Sequence, residues 1–264
     1  MLLVIDSGNT NAVFAVYDGE RIVGRWRAST DARRTADEYA VWLSQLMALD
    51  GLKPADVTAS VLANVVPQAN YALKTLCTRY FNGTPLVVGD PGVITGVRVN
   101  LDRPDQVGAD RLVNALAAHA SYGGPLAIVD FGTATTIDIV GADGAYEGGT
   151  ISPGIHGSMD ALTNAAAKLP RVGVEKPPSP IGKDTVTAMR SGVFWGYVGL
   201  IEGLLARIER DYAQTLTVIA TGGLAALFEA ETAAIHHVDR DLTLRGLKMV
   251  HDLNRGAAHP RADT

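Results

Sequence analysis

The chain reads as an α/β protein made of two similar mixed-sheet domains, and three observations carry that reading. Strand-length apolar runs alternate with segments whose apolar residues recur at helical spacing. Asp6-Ser7-Gly8-Asn9-Thr10, after Val4-Ile5, has a counterpart 124 positions later in Asp130-Phe131-Gly132-Thr133-Ala134, after Ile128-Val129. Each copy continues into a strand and then an acidic-glycine turn, Asp18-Gly19 or Asp143-Gly144, as an internal duplication with a cleft between its halves would. Finally, 264 residues with 47% hydrophobic content and 19% charge supply one large core or two modest ones.

Taken in order, Met1 to Ile5 and Ala12 to Tyr17 are apolar runs of strand length, and Arg21 to Ala28 follows the Asp18-Gly19 turn, so the chain opens as an antiparallel meander. Within Ala36 to Leu49, residues Tyr39, Trp42, Leu43, Leu46 and Met47 share a helical face, and Gly51 closes the helix as a cap. A strand at Ala59 to Val65, a helix from Gln68 to Tyr80 and a short strand at Leu86 to Val88 complete the first copy. The second begins with a helix from Ala109 to Ser121 and strands at Leu126 to Val129, Thr135 to Val140 and Ala145 to Ile151. A helix from Ser158 to Lys168, a proline-rich connection from Pro170 to Pro180 and a long apolar helix from near Asp184 come next. Thr217 to Ala220 is a strand that opens into Thr221-Gly222-Gly223 and a helix; a last helix, about Leu242 to Leu253, precedes a small, polar stretch, Arg255 to Thr264, of fraying composition. The domains are expected at 1–107 and 108–264.

Composition removes several classes of function. Lys and Arg number 23 against 28 Asp and Glu, a formal charge of −5 without a basic stripe, which argues against nucleic acid and anionic lipid as partners. Cys77 is the lone cysteine, expected as a small buried hydrophobe in a reducing compartment. Neither a signal peptide nor a membrane span is read, so the expected location is the cytoplasm. There are 28 glycines, but no two are separated by a single residue, so a Gly-x-Gly-x-x-Gly dinucleotide loop cannot occur. Gly182-Lys183 is followed by Asp184 and fails the Walker A pattern, and no His-x-x-x-His zinc pair exists.

What remains is the repeated Asp-x-Gly-(Asn/Thr) turn. A glycine there lets backbone amides approach phosphate oxygens, small polar side chains donate hydrogen bonds, and the aspartate can hold a hydrated cation. One such turn is as well explained as a plain hairpin; two with the same flanking strands favour a clamp on a triphosphate. Thr221-Gly222-Gly223, between strand and helix, would admit a flat nucleobase or ribose, or is simply a turn. Gly108-Ala109-Asp110-Arg111 opens a helix: Asp110 is either a first-turn charge paired with Arg111, or a general base beside a guanidinium that recognises an anionic substrate.

The duplicated turns together with Thr-Gly-Gly resemble the acetate and sugar kinase, actin and heat-shock chaperone superfamily, in which two ribonuclease-H-like domains hold ATP between them. More closely, Asp6 to Asn11, Gly108 to Arg111 and Asp130-Phe131-Gly132-Thr133-Ala134-Thr135-Thr136, in this order over nearly the whole chain, are similar to type III pantothenate kinases. The resemblance implies transfer of the γ-phosphoryl group of ATP to pantothenate, the first step toward coenzyme A. It implies an ATP loop of Asp6, Ser7, Gly8, Asn9, Thr10, Asn11, Ala12 and Val13, with Asp6 near the Mg²⁺ of ATP and Thr133 on the nucleotide. Asp110 would accept the proton of the primary hydroxyl, and Gly108, Ala109 and Arg111 would line the substrate pocket. Asp130 would hold a monovalent cation, K⁺ or NH₄⁺, and Thr185 would reach pantothenate across a homodimer interface. The segment before Gly108 reads Leu101-Asp102-Arg103-Pro104 where many relatives have a Tyr-Asp-Asn-Pro-like run. An accessory regulatory protein on the same fold and a kinase for another small hydroxylated acid are the competing readings.

Overall fold

The computed structural model describes residues 1–165 and 169–255. Its strands are β1 (Leu2–Ser7), β2 (Asn11–Asp18), β3 (Arg21–Ser29), β4 (Ala59–Asn64), β5 (Leu86–Val87), β6 (Leu126–Phe131), β7 (Ala134–Val140), β8 (Tyr146–Pro153), β9 (Thr217–Gly222) and β10 (His237–Val238). The helices are α1 (Ala36–Leu49), α2 (Asn70–Tyr80), α3 (Ala109–Tyr122), α4 (Ile155–Ala165), α5 (Thr185–Tyr212), α6 (Ala225–Phe228) and α7 (Leu242–Leu253). Among the described residues no helix is long and apolar enough to cross a membrane.

In the first sheet the order is β3-β2-β1-β4-β5, with β1, β2 and β3 antiparallel and β4 and β5 added in parallel. Side chains alternate between its faces. Leu3, Ile5, Phe14, Val16, Trp26 and Leu62 pack on Tyr39, Leu43 and Met47 of α1 and on Leu73 and Leu76 of α2. Leu2, Val4, Ala15, Tyr17 and Val61 face the other way, against Val113 of α3 and Leu244, Leu247 and Val250 of α7. Each large apolar side chain fully buried in this way contributes about 2 kcal/mol. α1 starts sharply because Thr35 and Glu38 form a reciprocal capping box: the Thr35 side chain accepts from the Glu38 N–H, and the Glu38 carboxylate accepts from the Thr35 N–H at 2.7 Å.

The second sheet repeats the plan. Its order, β10-β9-β6-β7-β8, has the same directions, with β6, β7 and β8 antiparallel and β9 and β10 parallel to β6. Val129, Phe131, Ile137, Ile139 and Val218 pack on Phe194, Val198 and Ile201 of α5 and Phe228 of α6. Phe131 and Phe228 stack with centroids 4.9 Å apart. These are the two similar mixed sheets that the repeated turns foretell.

Differences from the sequence reading have local causes. Asp6 and Ser7 are strand residues, because both are paired on one side with β2 and on the other with β4; Asp130 and Phe131 are likewise held within β6. Proline at the start gives Pro67–Ala69 one turn of 3₁₀ helix before α2. α4 begins at Ile155, a turn earlier than expected, and the expected end at Lys168 lies outside the described residues, as do 256–264 of the expected tail. β10 has no sequence signal, since with two residues it is too short to show a period. The described residues form two compact units that interleave in sequence: residues 1–97, 105–117 and 243–255 in one, 98–104, 118–165 and 169–242 in the other. A single cut at 107/108 misses this exchange, which arises because α7 and the first half of α3 bury Val113, Leu247 and Val250 on the first sheet.

Candidate active site

The first unit carries the Asp6 loop. β1 runs to Ser7, the chain turns through residues 8–10, and β2 leaves at Asn11. The Gly8 N–H donates to the Asn11 carbonyl at 3.0 Å, closing the turn. A Cβ at Gly8 would come within 3.3 Å of that oxygen, which explains the glycine. The end of β3 holds the turn from the side: the Thr30 hydroxyl donates to the Gly8 carbonyl at 2.6 Å, and the Thr30 N–H to the Thr10 carbonyl at 2.9 Å. Beneath it, Val65 N–H donates to the Ser7 carbonyl at 3.0 Å, and the Asn64 side chain grips both backbone groups of Val66. Ser7 is buried, and its Oγ has no hydrogen-bond partner, a polar atom facing a protein interior that leaves it unsatisfied.

The same unit contains Gly108 to Arg111. The Gly108 carbonyl accepts from the Arg111 and Leu112 amides as α3 begins, and the Arg111 N–H also donates to Asp110 Oδ1 at 2.9 Å. The Asp110 carboxylate thus stands in the first turn of a helix, where the orphan amides favour an anion. A Cβ at Gly108 would lie 2.5 Å from Asp110 Oδ1, so a side chain there would push the carboxylate from its place. Ala109 packs on the apolar cluster that includes Val4 and Val113, so Asp110 is presented from the helix layer on the same face of the first sheet toward which Asp6, two residues after Val4, alternates. Asp6 and Asp110 therefore belong to one unit and one side of one sheet.

The second unit places Asp130 on β6 between Thr136 of β7 and Thr221 of β9. Gly222 has φ +90°, and a Cβ on it would lie 2.6 Å from Asp130 Oδ1 and 2.6 Å from the Phe131 carbonyl. The Thr-Gly-Gly motif thus has a reason for its first glycine: it makes room for the Asp130 carboxylate. Nothing crowds Gly223. Thr133 sits at the hairpin tip, where its carbonyl accepts from the Gly154 N–H at 3.1 Å. A Cβ at Gly154 would approach that carbonyl to 2.2 Å. Tyr197 of α5 shares hydrogen bonds with Thr135 Oγ1 at 2.8 Å and with the Pro153 carbonyl, tying β7 and β8 together behind the tip. Burial pushes its hydroxyl pKa up, so it remains neutral.

Thr185 is exposed at the first position of α5, after the N-cap Asp184. Asp184 Oδ1 accepts from the Thr187 N–H at 2.9 Å, and that bond holds the carboxyl below its ordinary range. Gly182 crosses this helix start so closely that a Cβ would meet the Ala188 nitrogen at 2.2 Å. One turn further on, an apolar groove of about 490 Å³ opens between α4 and α5, lined by Pro153, Leu162, Met189, Val193, Tyr197 and Leu200 among others. Thr30, Asn64, Gly154 and Tyr197 support the two turns without falling in a recognisable motif: Thr30, Gly154 and Tyr197 act through contacts distant in sequence, and Asn64 through a local grip on Val66 beside β1.

Comparison with known proteins agrees with the motifs. The family model for type III pantothenate kinase matches residues 2–207. A type III pantothenate kinase of Paramagnetospirillum magneticum is 60% identical over 96% of this chain and 98% of its own length. That of Maricaulis maris is 59% identical over 97% of this chain and 99% of its own. Among solved structures, a Campylobacter jejuni protein named for a Baf family transcriptional activator superposes with a TM-score of 0.61 at 20% identity, covering 96% of this chain and 98% of that one. A Sinorhizobium meliloti protein named for a 2-dehydro-3-deoxygalactonokinase gives 0.57 at 16% identity over 100% and 99%. These two likenesses bear on the fold alone. With the family model spanning most of the sequence and relatives near 60% identity along their full length, the chain belongs to the type III pantothenate kinase family.

Proposed function

We propose that this chain transfers the γ-phosphoryl group of ATP to the primary hydroxyl of pantothenate, giving 4′-phosphopantothenate and ADP, the first step of coenzyme A synthesis. The observation that carries the reading is the pairing, within one unit, of the Asp6–Val13 turn with a carboxylate, Asp110, at the start of a helix on the same sheet face. Family membership supports the identity of both substrates.

In this reading the backbone amides and small polar side chains of residues 6–13 bind the triphosphate, and Thr133 contacts the nucleotide. Asp110 accepts the proton of the pantothenate hydroxyl as its oxygen bonds to the γ-phosphorus. The bond from that phosphorus to the bridging oxygen breaks, and the electron pair leaves with ADP. Phosphoryl transfer asks mainly for positioning and charge neutralisation, so a single carboxylate base suffices. Gly108, Ala109 and Arg111 line the acceptor pocket, with Arg111 suited to the pantothenate carboxylate.

Two cations belong to this reading. Among the described residues no three His, Cys, Asp or Glu side chains form a metal cage; Mg²⁺ that arrives on nucleotide phosphates keeps most of its ligands from them and from water, so Asp6 alone fits it. A K⁺ or NH₄⁺ ion at Asp130 fits the oxygen-rich surroundings of that carboxylate and the space Gly222 leaves beside it. When bound, these ions neutralise negative charge. Thr185 and the apolar groove between α4 and α5 suit an interface with a second copy, and we place the homodimer in the cytoplasm.

A coupled ATP-consumption assay against pantothenate, sugars and acetate tests the acceptor, and turnover on pantothenate alone is expected. Asp110→Asn should lower kcat about 10²- to 10⁴-fold while MgATP still binds. Full activity in that variant would remove Asp110 as the base, and inactivity of the unaltered protein on pantothenate would favour another acceptor or a regulatory role.

A further inference from the structure

The register of the first sheet places a cation that none of the motifs includes. Asp6 pairs with Val13 across β1 and β2, and Val13 pairs with Arg27 across β2 and β3. Directly paired residues project to the same face. Trp26 and Ala28 are buried in the cluster with α1, so Arg27 between them projects to the opposite face, the one shared by Val4, Ala15 and the start of α3. Arg27 is thus in one row with Asp6, two strand spacings or roughly 10 Å away, on the side from which α3 presents Asp110. It is exposed, and no ion pair or hydrogen bond engages it among the described residues. Three residues further, Thr30 is bonded to the Gly8 and Thr10 carbonyls, so the strand that carries Arg27 is fixed to the turn itself.

The second unit serves as an internal control. Its matching row runs Asp130, Thr136, Ile151, and Ile151 is 69% exposed. A charged residue on an edge strand can simply discourage edge-to-edge pairing, yet the equivalent edge position of the second sheet does without one. The cation goes with the first turn.

We propose that Arg27 is a binding and positioning residue for the polyphosphate of the nucleotide, its guanidinium closing the β3 side of the first turn around phosphate oxygens. This rests on the kinase reading above. A planar fork of donors matches a phosphate in a bidentate way that an ammonium does not, and a site without a Walker lysine needs its positive charge from elsewhere.

The test is calorimetric titration of the full chain with MgATP, MgADP and adenosine, alongside steady-state kinetics with pantothenate. Arg27→Gln should weaken MgATP binding at least tenfold and leave adenosine binding and the melting temperature unchanged. Arg27→Lys should recover only part of the loss, and Arg33→Gln, at a solvent-exposed position paired with Asp31, should stay within twofold of the unaltered chain. MgATP affinity within twofold in Arg27→Gln would overturn the proposal, as would an equal loss for adenosine. Should Arg27→Gln melt early, Arg27→Lys decides by the same readouts. If the unaltered protein binds MgATP but does not phosphorylate pantothenate, the acceptor assignment fails while the titration still judges Arg27.

Discussion

In the first hairpin residues 8–11 separate Ser7 from its partner Ala12; in the second, residues 132–134 separate Phe131 from Thr135. The two turns keep the glycine and the strand directions, and a backbone amide holds a carbonyl in each, but the rest of the bracing differs. Around the first, a hydroxyl and an amide from Thr30 reach in to hold carbonyls. Around the second, neighbours come close because they lack side chains, Gly154 against Thr133 and Gly222 against Asp130. In the first turn the Gly8 and Thr10 carbonyls are both engaged by one residue of β3, a brace suited to the phosphate-binding role proposed for it. In the second, glycines let the backbone approach Thr133 and the Asp130 carboxylate closely, an arrangement suited to the cation proposed there.

The largest expected break in this contrast is Gly222→Ala. The new methyl must enter space within 2.6 Å of Asp130 Oδ1 at a φ of +90°, so a loss of about 3 kcal/mol is expected from strain and overpacking. Denaturant midpoints would measure it, and activation by K⁺ relative to Na⁺ should disappear in the same variant. Gly8→Ala, at 3.3 Å and without positive φ, should cost far less; equal costs would erase the distinction drawn between the turns.

A smaller effect is expected from Thr30→Val, which removes the hydroxyl that holds the Gly8 carbonyl. About 1 kcal/mol of stability should go, with a rise in the KM for ATP and little change in the KM for pantothenate; Thr30→Ser should restore both. A parallel rise in both KM values would mean that the bond supports the whole unit and not the turn.

The smallest test concerns the helix starts, where the units also mirror each other. α1 is capped by a hydroxyl, Thr35, answered by a carboxylate, Glu38; α5 is capped by a carboxylate, Asp184, answered by a hydroxyl, Thr187. Both carboxyls have lowered pKa values, first because a backbone N–H bonds to each, from Thr35 and from Thr187 respectively. A depressed folded-state value stabilises the native protein above the unfolded pKa, and this gain is lost as pH falls through the folded one. Asp184→Ala should therefore lower the melting temperature slightly at pH 7 and make no difference in strong acid. A deficit that persists in acid would assign the effect to helix propensity instead.

Much of the architecture was legible because it is written in short-range patterns. Val4-Ile5 and Ile128-Val129 announce strands, the acidic-glycine turns announce hairpins, and their recurrence announces two sheets. The candidate site was legible as far as its motifs are contiguous, at Asp6 to Val13 and Gly108 to Arg111. Gly222 carries a second constraint that no local motif shows: the register sets it beside Asp130. Gly154, Thr30 and Arg27 carry no local signal, since their positions depend on which strands lie side by side. The apolar spacing of α7 predicts a helix, but its return to the first sheet depends on where Leu247 and Val250 find apolar surface.

The unequal turns also bear on how the halves could diverge. Asp6 faces Val13 while Asp130 faces Thr136, so a gapless alignment of the two copies would pair Val13 with Ile137, which points to the other side of its sheet. A one-residue insertion or deletion within any paired strand would turn every later side chain inside out. At the tip of a hairpin it is absorbed, since both flanking strands are pinned by their own cores. The tips are thus the places where gene duplicates of this kind can change length one codon at a time and still fold, and here the permitted change falls beside the residues proposed to bind nucleotide and cation.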